Sequence, residues 1–164
     1  MTTLLVRVDD RLIHGQVVET WVPYLKAVQI IVADDDVSRD PFKKRIMEMA
    51  APPLVNVIIK TVPDAVSYVK ENFFRPTAVN TIFLLSSIKD ALQALDLELP
   101  CNRLNLGNIH YESDKTPITN SISLDSSEIA LLHKIDQKGV AVFVQPVPRV
   151  PPHDFFALLA KKII

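Results

Sequence analysis

Six short apolar runs recur along the chain, each ending in polar or charged residues. Leu4–Val8 stops at Asp9-Asp10, and Val28–Ala33 stops at Asp34-Asp35-Asp36. Val55–Ile59, Val79–Leu85, Leu104–Leu106 and Val140–Val144 complete the set. Runs that are apolar on nearly every residue predict strands covered on both faces, as in a parallel sheet. The segments between them carry helical patterns. Arg39–Ala50 spaces Phe42, Ile46, Met49 and Ala50 at helical intervals, and Pro52-Pro53 stops it. Thr61-x-x-Asp64 and Ser87-x-x-Asp90 are capping-box-like starts for helices through Val69 and Leu95. Asp125 can cap a helix through Gln137, with Gly139 as its left-handed stop. Asp154 can cap a last short helix through Ile163. A weaker alternating run, Ile118–Leu124, predicts a strand near a sheet edge. Strand–helix alternation of this kind predicts an α/β fold: an open, largely parallel sheet with helices on both faces and right-handed crossovers. No linker, repeat or low-complexity tract divides residues 1–164, and Pro146–Pro152 reads as a rigid connector. One domain is expected.

Composition removes several function classes. Apolar residues make up 48% of the chain, which excludes a disordered segment. Eighteen basic and nineteen acidic residues leave a formal charge of −1, which argues against nucleic acid bound by bulk charge. The single Cys101 excludes an intramolecular disulfide and a Cys-rich zinc site. Only Gly15, Gly107 and Gly139 are present, too few for a Walker A or dinucleotide-binding loop. No apolar run approaches the ~20 residues of a membrane helix. The N-terminus lacks a basic region followed by a long apolar core, so a cytoplasmic location is expected.

In open α/β sheets ligands sit beyond the carboxyl ends of the strands. The densest chemical text at such an end is Arg7-Val8-Asp9-Asp10-Arg11-Leu12-Ile13-His14-Gly15-Gln16-Val17. A strand stops, a charged turn follows, and a helix begins near Gly15. His14 then lies at that helix's N-terminal side, where free N–H groups and the dipole favour an anion and a neutral, nucleophilic imidazole. Arg11, on the same turn, carries a guanidinium fork suited to phosphate oxygens. Asp9 or Asp10 can orient the imidazole or hold Arg11. A histidine, an arginine and a carboxylate at a helix start suit phosphoryl transfer through histidine, which is mostly positioning and charge stabilisation. The same residues also suit a hydrogen-bonded structural turn.

Asp9-Asp10-Arg11-Leu12-Ile13-His14-Gly15-Gln16-Val17 resembles the signature of the IIB components of the mannose/fructose/sorbose family of the sugar phosphotransferase system. The resemblance continues through Val32–Asp36 with Asp40-Pro41-Phe42-Lys43, through Met49–Pro53 and through Leu104–His110. It ends on Lys138-Gly139-Val140 and Val144–Pro148, so it covers essentially the whole chain. It implies a sheet of about seven strands, often in a homo-oligomer. It implies that His14 accepts a phosphoryl group on Nδ1 from a phosphohistidine of a IIA protein. The group then passes to a sugar entering through the membrane subunits IIC and IID. This is the activity of a protein-N(pi)-phosphohistidine–sugar phosphotransferase, held at the inner face of the membrane through IIC and IID. Arg11 matches the phosphate-contacting arginine and Asp9 a nearby acid, with no metal, nucleotide or other cofactor. Gly15, Gln16, Ser86 and Ser87 are further phosphate neighbours to consider, although Ser86 and Ser87 also suit simple helix capping. A histidine reached by two partner proteins in turn is expected on an exposed loop.

Two departures bear on partner docking. The family often has Gly-Gly after the fifth strand, whereas this chain has Gly107-Asn108, where Asn can tolerate left-handed geometry. After the last strand it reads Pro148-Arg149-Val150-Pro151 in place of Pro-Thr-Asp, and Arg149 can add a phosphate contact. Elsewhere, His110 can approach the site from the fifth strand's end. His133 reads as a core-edge residue, His153 as part of a helix start, and Trp21 as core. Asp34-Asp35-Asp36 reads as an acidic turn capping the next helix, with a divalent cation as the alternative. A regulatory protein that reports phosphorylation state on the same fold is the competing function. A phospho-aspartate receiver is disfavoured, because the third strand ends Ile58-Ile59-Lys60-Thr61 without an acceptor aspartate.

Overall fold

The computed structural model describes residues 1–163. The chain runs β1 (Leu4–Asp9), a π-helical stretch (Val17–Trp21) continuing into α1 (Val22–Leu25), β2 (Gln29–Ala33), α2 (Asp35–Arg39), α3 (Pro41–Ala50) and β3 (Asn56–Lys60). There follow α4 (Val62–Asn72), β4 (Thr81–Leu85), α5 (Ile88–Asp96), β5 (Arg103–Asn108), β6 (Thr116–Pro117) and β7 (Ser123–Leu124). The last elements are α6 (Ser126–Gln137), β8 (Ala141–Val144), β9 (His153–Asp154) and α7 (Phe155–Ile163). Seven strands form one open sheet in the order β3-β2-β4-β1-β5-β8-β9. Every pairing in it is parallel except β8 with β9.

Alternation along each strand splits the core in two. Val6, Val8, Ile31, Ala33, Phe83 and Leu85 pack on one face, against Val66, Ala91, Leu132 and Phe155 of the later helices. Ile30, Val32, Ile82 and Leu84 pack on the other, against Val17, Trp21 and Val37. Each fully buried Ile, Leu or Phe contributes roughly 1.5–3 kcal/mol relative to exposure. Local chemistry sets the helix ends. The Thr61 and Ser87 hydroxyls accept from the N–H of Asp64 and Asp90 at 3.3 and 3.1 Å. Asp125 and Glu128 form a reciprocal capping box, and such a cap stabilises a helix by about 1 kcal/mol. Gly139 takes a φ of 84° after α6, and Asp154 accepts from the N–H of Ala157 at 2.9 Å.

Two expectations are corrected, and one helix presents a face that its spacing left open. Ile118–Leu124 does not join the main sheet. Its end forms β7, which pairs antiparallel with β6, and Ile122 bridges to Ile109. Ile118, Ile122 and Leu124 are buried there, so the alternation reported a loop folded over the core. The seventh strand is instead β9, and His153 lies in it rather than in a helix start. On α3, Phe42 and Met49 are 74% and 73% exposed and Ile46 is 45% exposed. Helical spacing identified this helix but not the face it buries, because Met47 is the residue that packs inward.

Candidate functional site

The site is built where β1 ends beside β5. The pairing of β1 with β5 shifts between Val8 and Asp9, so Asp9 sits opposite Asn108 and Gly107 lies in the bulge. The Asp10 N–H donates to the Asn108 carbonyl at 3.0 Å and fixes the turn. Leu12 takes a φ of 55° in that turn, a conformation that costs an L-residue roughly 1–2 kcal/mol. Its N–H donates to the Asp9 carbonyl at 2.9 Å and its side chain is buried, which together hold it there. The helix then starts at Gly15, with the His14 carbonyl accepting from Val17 and Val18 at 3.0 Å each. Among the described residues nothing accepts from the N–H of Gly15 or Gln16, so the helix start presents free donors.

Beneath the turn lies Arg7, fully buried in the middle of β1. Its guanidinium donates to Asp9 Oδ2 from Nε at 3.2 Å and from Nη2 at 3.0 Å. Nη1 donates to Asn105 Oδ1 at 2.7 Å and to the Gln145 carbonyl at 3.0 Å. Nη2 also donates to Gln16 Oε1 at 3.2 Å and to the Pro146 carbonyl at 3.1 Å. The Trp21 indole donates to the same Pro146 carbonyl at 3.0 Å, and its ring centroid lies 5.6 Å from the guanidinium carbon. Burial pushes the Arg7 guanidinium below its ordinary value, opposed by Asp9. Burial likewise pushes the Asp9 carboxyl up, but the His14 hydrogen bond, the Arg7 charge and the Asn108 amide outweigh it, so Asp9 ends below the usual carboxylate range.

These contacts orient one another by elimination. Arg7 only donates, so Gln16 must turn its Oε1 inward. Gln16 Oε1 then accepts from Asn108 Nδ2 at 2.8 Å, and the same amide nitrogen donates to Asp9 Oδ2 at 3.1 Å. Ionised Asp9 only accepts, so His14 Nε2, 2.8 Å from Oδ2, carries the proton. In the neutral imidazole the lone pair then falls on Nδ1. Nδ1 is the one buried side-chain nitrogen or oxygen among the described residues without a hydrogen-bond partner. An unpaired buried polar atom is a costly feature that calls for a functional reason.

The His14 side chain is only 8% exposed. This corrects the expectation of an open loop: the ring is held against the protein and Nδ1 is covered. Of the other candidates, Arg11 is exposed, and its N–H donates to Asp9 Oδ1 at 3.1 Å. It lines a polar hollow with Asp10, Asn108, His110, Asn120 and Ser121. His110 pairs with Asp10, its N–H donating to Asp10 Oδ2 at 2.8 Å, and its Nε2 lies 3.0 Å from Glu112 Oε1. Ser86 donates to Asp34 Oδ2 at 2.6 Å and Ser87 caps α5, so both hydroxyls bond away from His14. Asp34 caps α2 through the Val37 N–H at 2.9 Å, and Asp35 accepts from the Val62 N–H at 2.9 Å. Arg149 lies beside Thr20, Tyr24 and Pro148. His133 is exposed, its ring 4.9 Å from that of Phe156. Burial pushes the Cys101 thiol up to about 11, which keeps it protonated.

Sequence reasoning missed Arg7, Asn105 and the role of Asn108. Arg7 had a visible signal, the one charge inside an otherwise apolar strand run. Asn108 does not take the left-handed geometry offered as its justification, since Leu12, Lys26 and Glu98 are the non-glycine residues with positive φ among those described. Its side chain, not its backbone, is what the site uses.

The family model of the PTS system sorbose subfamily IIB component matches residues 3–164. The chain belongs to this family. It is 36% identical over 157 residues to the N-acetylgalactosamine-specific phosphotransferase enzyme IIB component 2 of Escherichia coli K12, covering 95% of this chain and 98% of that protein. It is 31% identical over 157 residues to the sorbose-specific EIIB component of Lacticaseibacillus casei, covering 96% and 94%. The crystal structure of the IIBSor domain of the sorbose permease from Klebsiella pneumoniae superposes with a TM-score of 0.86 at 28% identity, over 98% of each chain. This IIB chain thus shares both sequence and fold with phosphotransferase components. Among its described residues no helix is long and apolar enough to cross a membrane.

Proposed function

We propose that this IIB component is a phosphohistidine carrier whose acceptor is His14 Nδ1. The unpaired, lone-pair-bearing Nδ1 carries the reading, and the forced proton on Nε2 explains it. A phosphohistidine of a IIA protein supplies the group. Nδ1 attacks phosphorus, a new P–N bond forms, and the donor's P–N bond breaks to release a neutral imidazole. Nε2 keeps its proton, so the positive charge developing on the His14 ring meets the Asp9 carboxylate. Arg7 holds that carboxylate ionised and in place. Arg11 reaches the phosphoryl oxygens from the exposed side, and the free N–H groups of Gly15 and Gln16 receive them at the helix start. Because Nδ1 is covered, docking of the donor must uncover it. The group then passes to a sugar carried by membrane subunits IIC and IID, which hold the chain at the membrane. Names of the relatives, including sorbose- and N-acetylgalactosamine-specific components, support a sugar as the final acceptor. Ser86 and Ser87 are not needed for this step.

Intact-mass analysis tests the proposal. The chain is incubated with phosphoenolpyruvate, enzyme I, HPr and a family IIA protein, alongside a His14→Ala variant. One acid-labile phosphoryl group on the wild type, absent from the variant, is expected. A variant that accepts phosphoryl groups at the wild-type rate overturns the assignment.

A further inference from the structure

Helix α3 turns its apolar stripe to solvent. Phe42, Ile46 and Met49 are all exposed, and none of the ten residues of the helix is buried. Leu54, just beyond its end, is 92% exposed. A stripe of this kind on a soluble chain marks a contact surface. Charge says what kind. At about 100° per residue, Arg45 and Lys43 flank the stripe on its two sides, while Glu48 and the inward-packing Met47 lie farther round the helix. Lys43 and Arg45 are both exposed, while Arg39 at the end of α2 is balanced by Asp36 and Asp40 beside it. Lys43, Lys44 and Arg45 against Glu48 give Pro41–Ala50 a positive charge on a chain whose formal net charge is −1, with Lys43 and Arg45 at the edges of the stripe and Lys44 on the opposite side of the helix. An apolar ridge edged by cations is complementary to an anionic lipid surface, where apolar side chains enter the acyl boundary and Lys and Arg meet the headgroups. A second copy of the chain fits less well. Three side chains are far short of the roughly 20–30 residues per side of a stable interface, and the flanking cations would face each other.

We infer that α3 is a membrane-surface contact, which lays Phe42, Ile46 and Met49 on an anionic bilayer with Lys43 and Arg45 on its headgroups. This contact does not involve the His14 site, whose residues lie outside α3.

Vesicle co-sedimentation without any phosphoryl donor tests it. The wild-type chain should sediment with phosphatidylglycerol vesicles and not with phosphatidylcholine vesicles, and raised salt should release it. Lys43→Ala should weaken binding about five-fold, as expected for one basic residue at the surface. A Phe42→Ser, Met49→Ser double variant, with an unchanged circular dichroism spectrum and melting temperature, should lose most of it. Absence of wild-type binding to phosphatidylglycerol overturns the inference, as does binding that both variants retain in full. A wild-type chain that dimerises in analytical ultracentrifugation while the double variant stays monomeric assigns the stripe to a second copy, and overturns it too.

Discussion

The Asp9 carboxylate stands 2.8 Å from His14 Nε2 and, on the same oxygen, takes 3.0 Å and 3.2 Å bonds from Arg7. One atom thus joins a buried cation to the candidate acceptor ring. Asp9→Asn removes the obligate acceptor, so the ring is no longer held with its proton on Nε2. We expect phosphorylation of His14 to slow by roughly 10²-fold or more, with the ring's NMR signals reporting a changed tautomer. A variant that keeps both rate and tautomer shows that Asp9 is not what orients the ring.

Arg11 is exposed and its guanidinium is free of carboxylate partners among the described residues. Arg11→Ala should leave the melting temperature unchanged and slow phosphoryl transfer by about 10²-fold, the usual cost of one charge-assisted donor. Stopped-flow or quenched-flow transfer from a phosphorylated IIA protein measures it. An unchanged rate reduces Arg11 to its backbone contact with Asp9.

Gly107 is the floor of the site. A Cβ added there would lie 2.1–2.4 Å from three guanidinium atoms of buried Arg7. Gly107→Ala should therefore destabilise the fold by about 1–3 kcal/mol through overpacking and displace the Arg7–Asp9 pair. Urea unfolding reads the first effect and His14 phosphorylation the second. Gly15→Ala is the control, since a Cβ there meets nothing closer than 4.0 Å.

Acid should unfold the protein partly through Asp9. Burial raises its carboxyl, yet the His14 hydrogen bond and the Arg7 charge bring it below its ordinary value. A group depressed in the folded state contributes stability above its unfolded value near 4, and that stability is lost as pH falls through the folded value. The slope of unfolding free energy against pH below about 4 should thus be steeper for wild type than for Asp9→Asn. Equal slopes would mean that Asp9 does not titrate with folding.

His110 moves in the other direction. The hydrogen bond and charge of Asp10 hold its imidazolium above its ordinary value. What the pair contributes is present below about pH 6.5 and is lost as pH rises through the folded value. His110 is exposed, so the effect is read as a titration and not as stability. In an NMR titration its midpoint should fall in Asp10→Asn, and an unmoved midpoint removes Asp10 as its partner.

The strand runs, the Thr61, Ser87, Asp125 and Asp154 caps and the Gly139 stop were legible because each depends on neighbours in sequence. So was the placement of His14 and Arg11 in a turn between a strand and a helix start, since Asp9-Asp10 ends one pattern and Val17 begins the next. Burial was not legible. The spacing of Phe42, Ile46 and Met49 is the same whether the stripe faces the sheet or the solvent, and packing of Met47 decided which. The alternation of Ile118–Leu124 meant buried side chains, but whether they lie in a sheet or in a loop over the core depends on strands distant in sequence. The sequence offered Asp9 or Asp10 to orient His14, and tertiary structure chose Asp9 and set Arg7 behind it. That arrangement needs Gly107, Asn108, Gln145 and Pro146 brought to β1 from the far half of the chain. A buried charge is tolerable only where such partners converge. The sequence by itself determined which residues could carry the chemistry. The pairing of β5 with β1, and the Gln145 and Pro146 carbonyls that follow β8 and reach Arg7, decided how Asp9 holds His14 and which ring nitrogen stays unpaired.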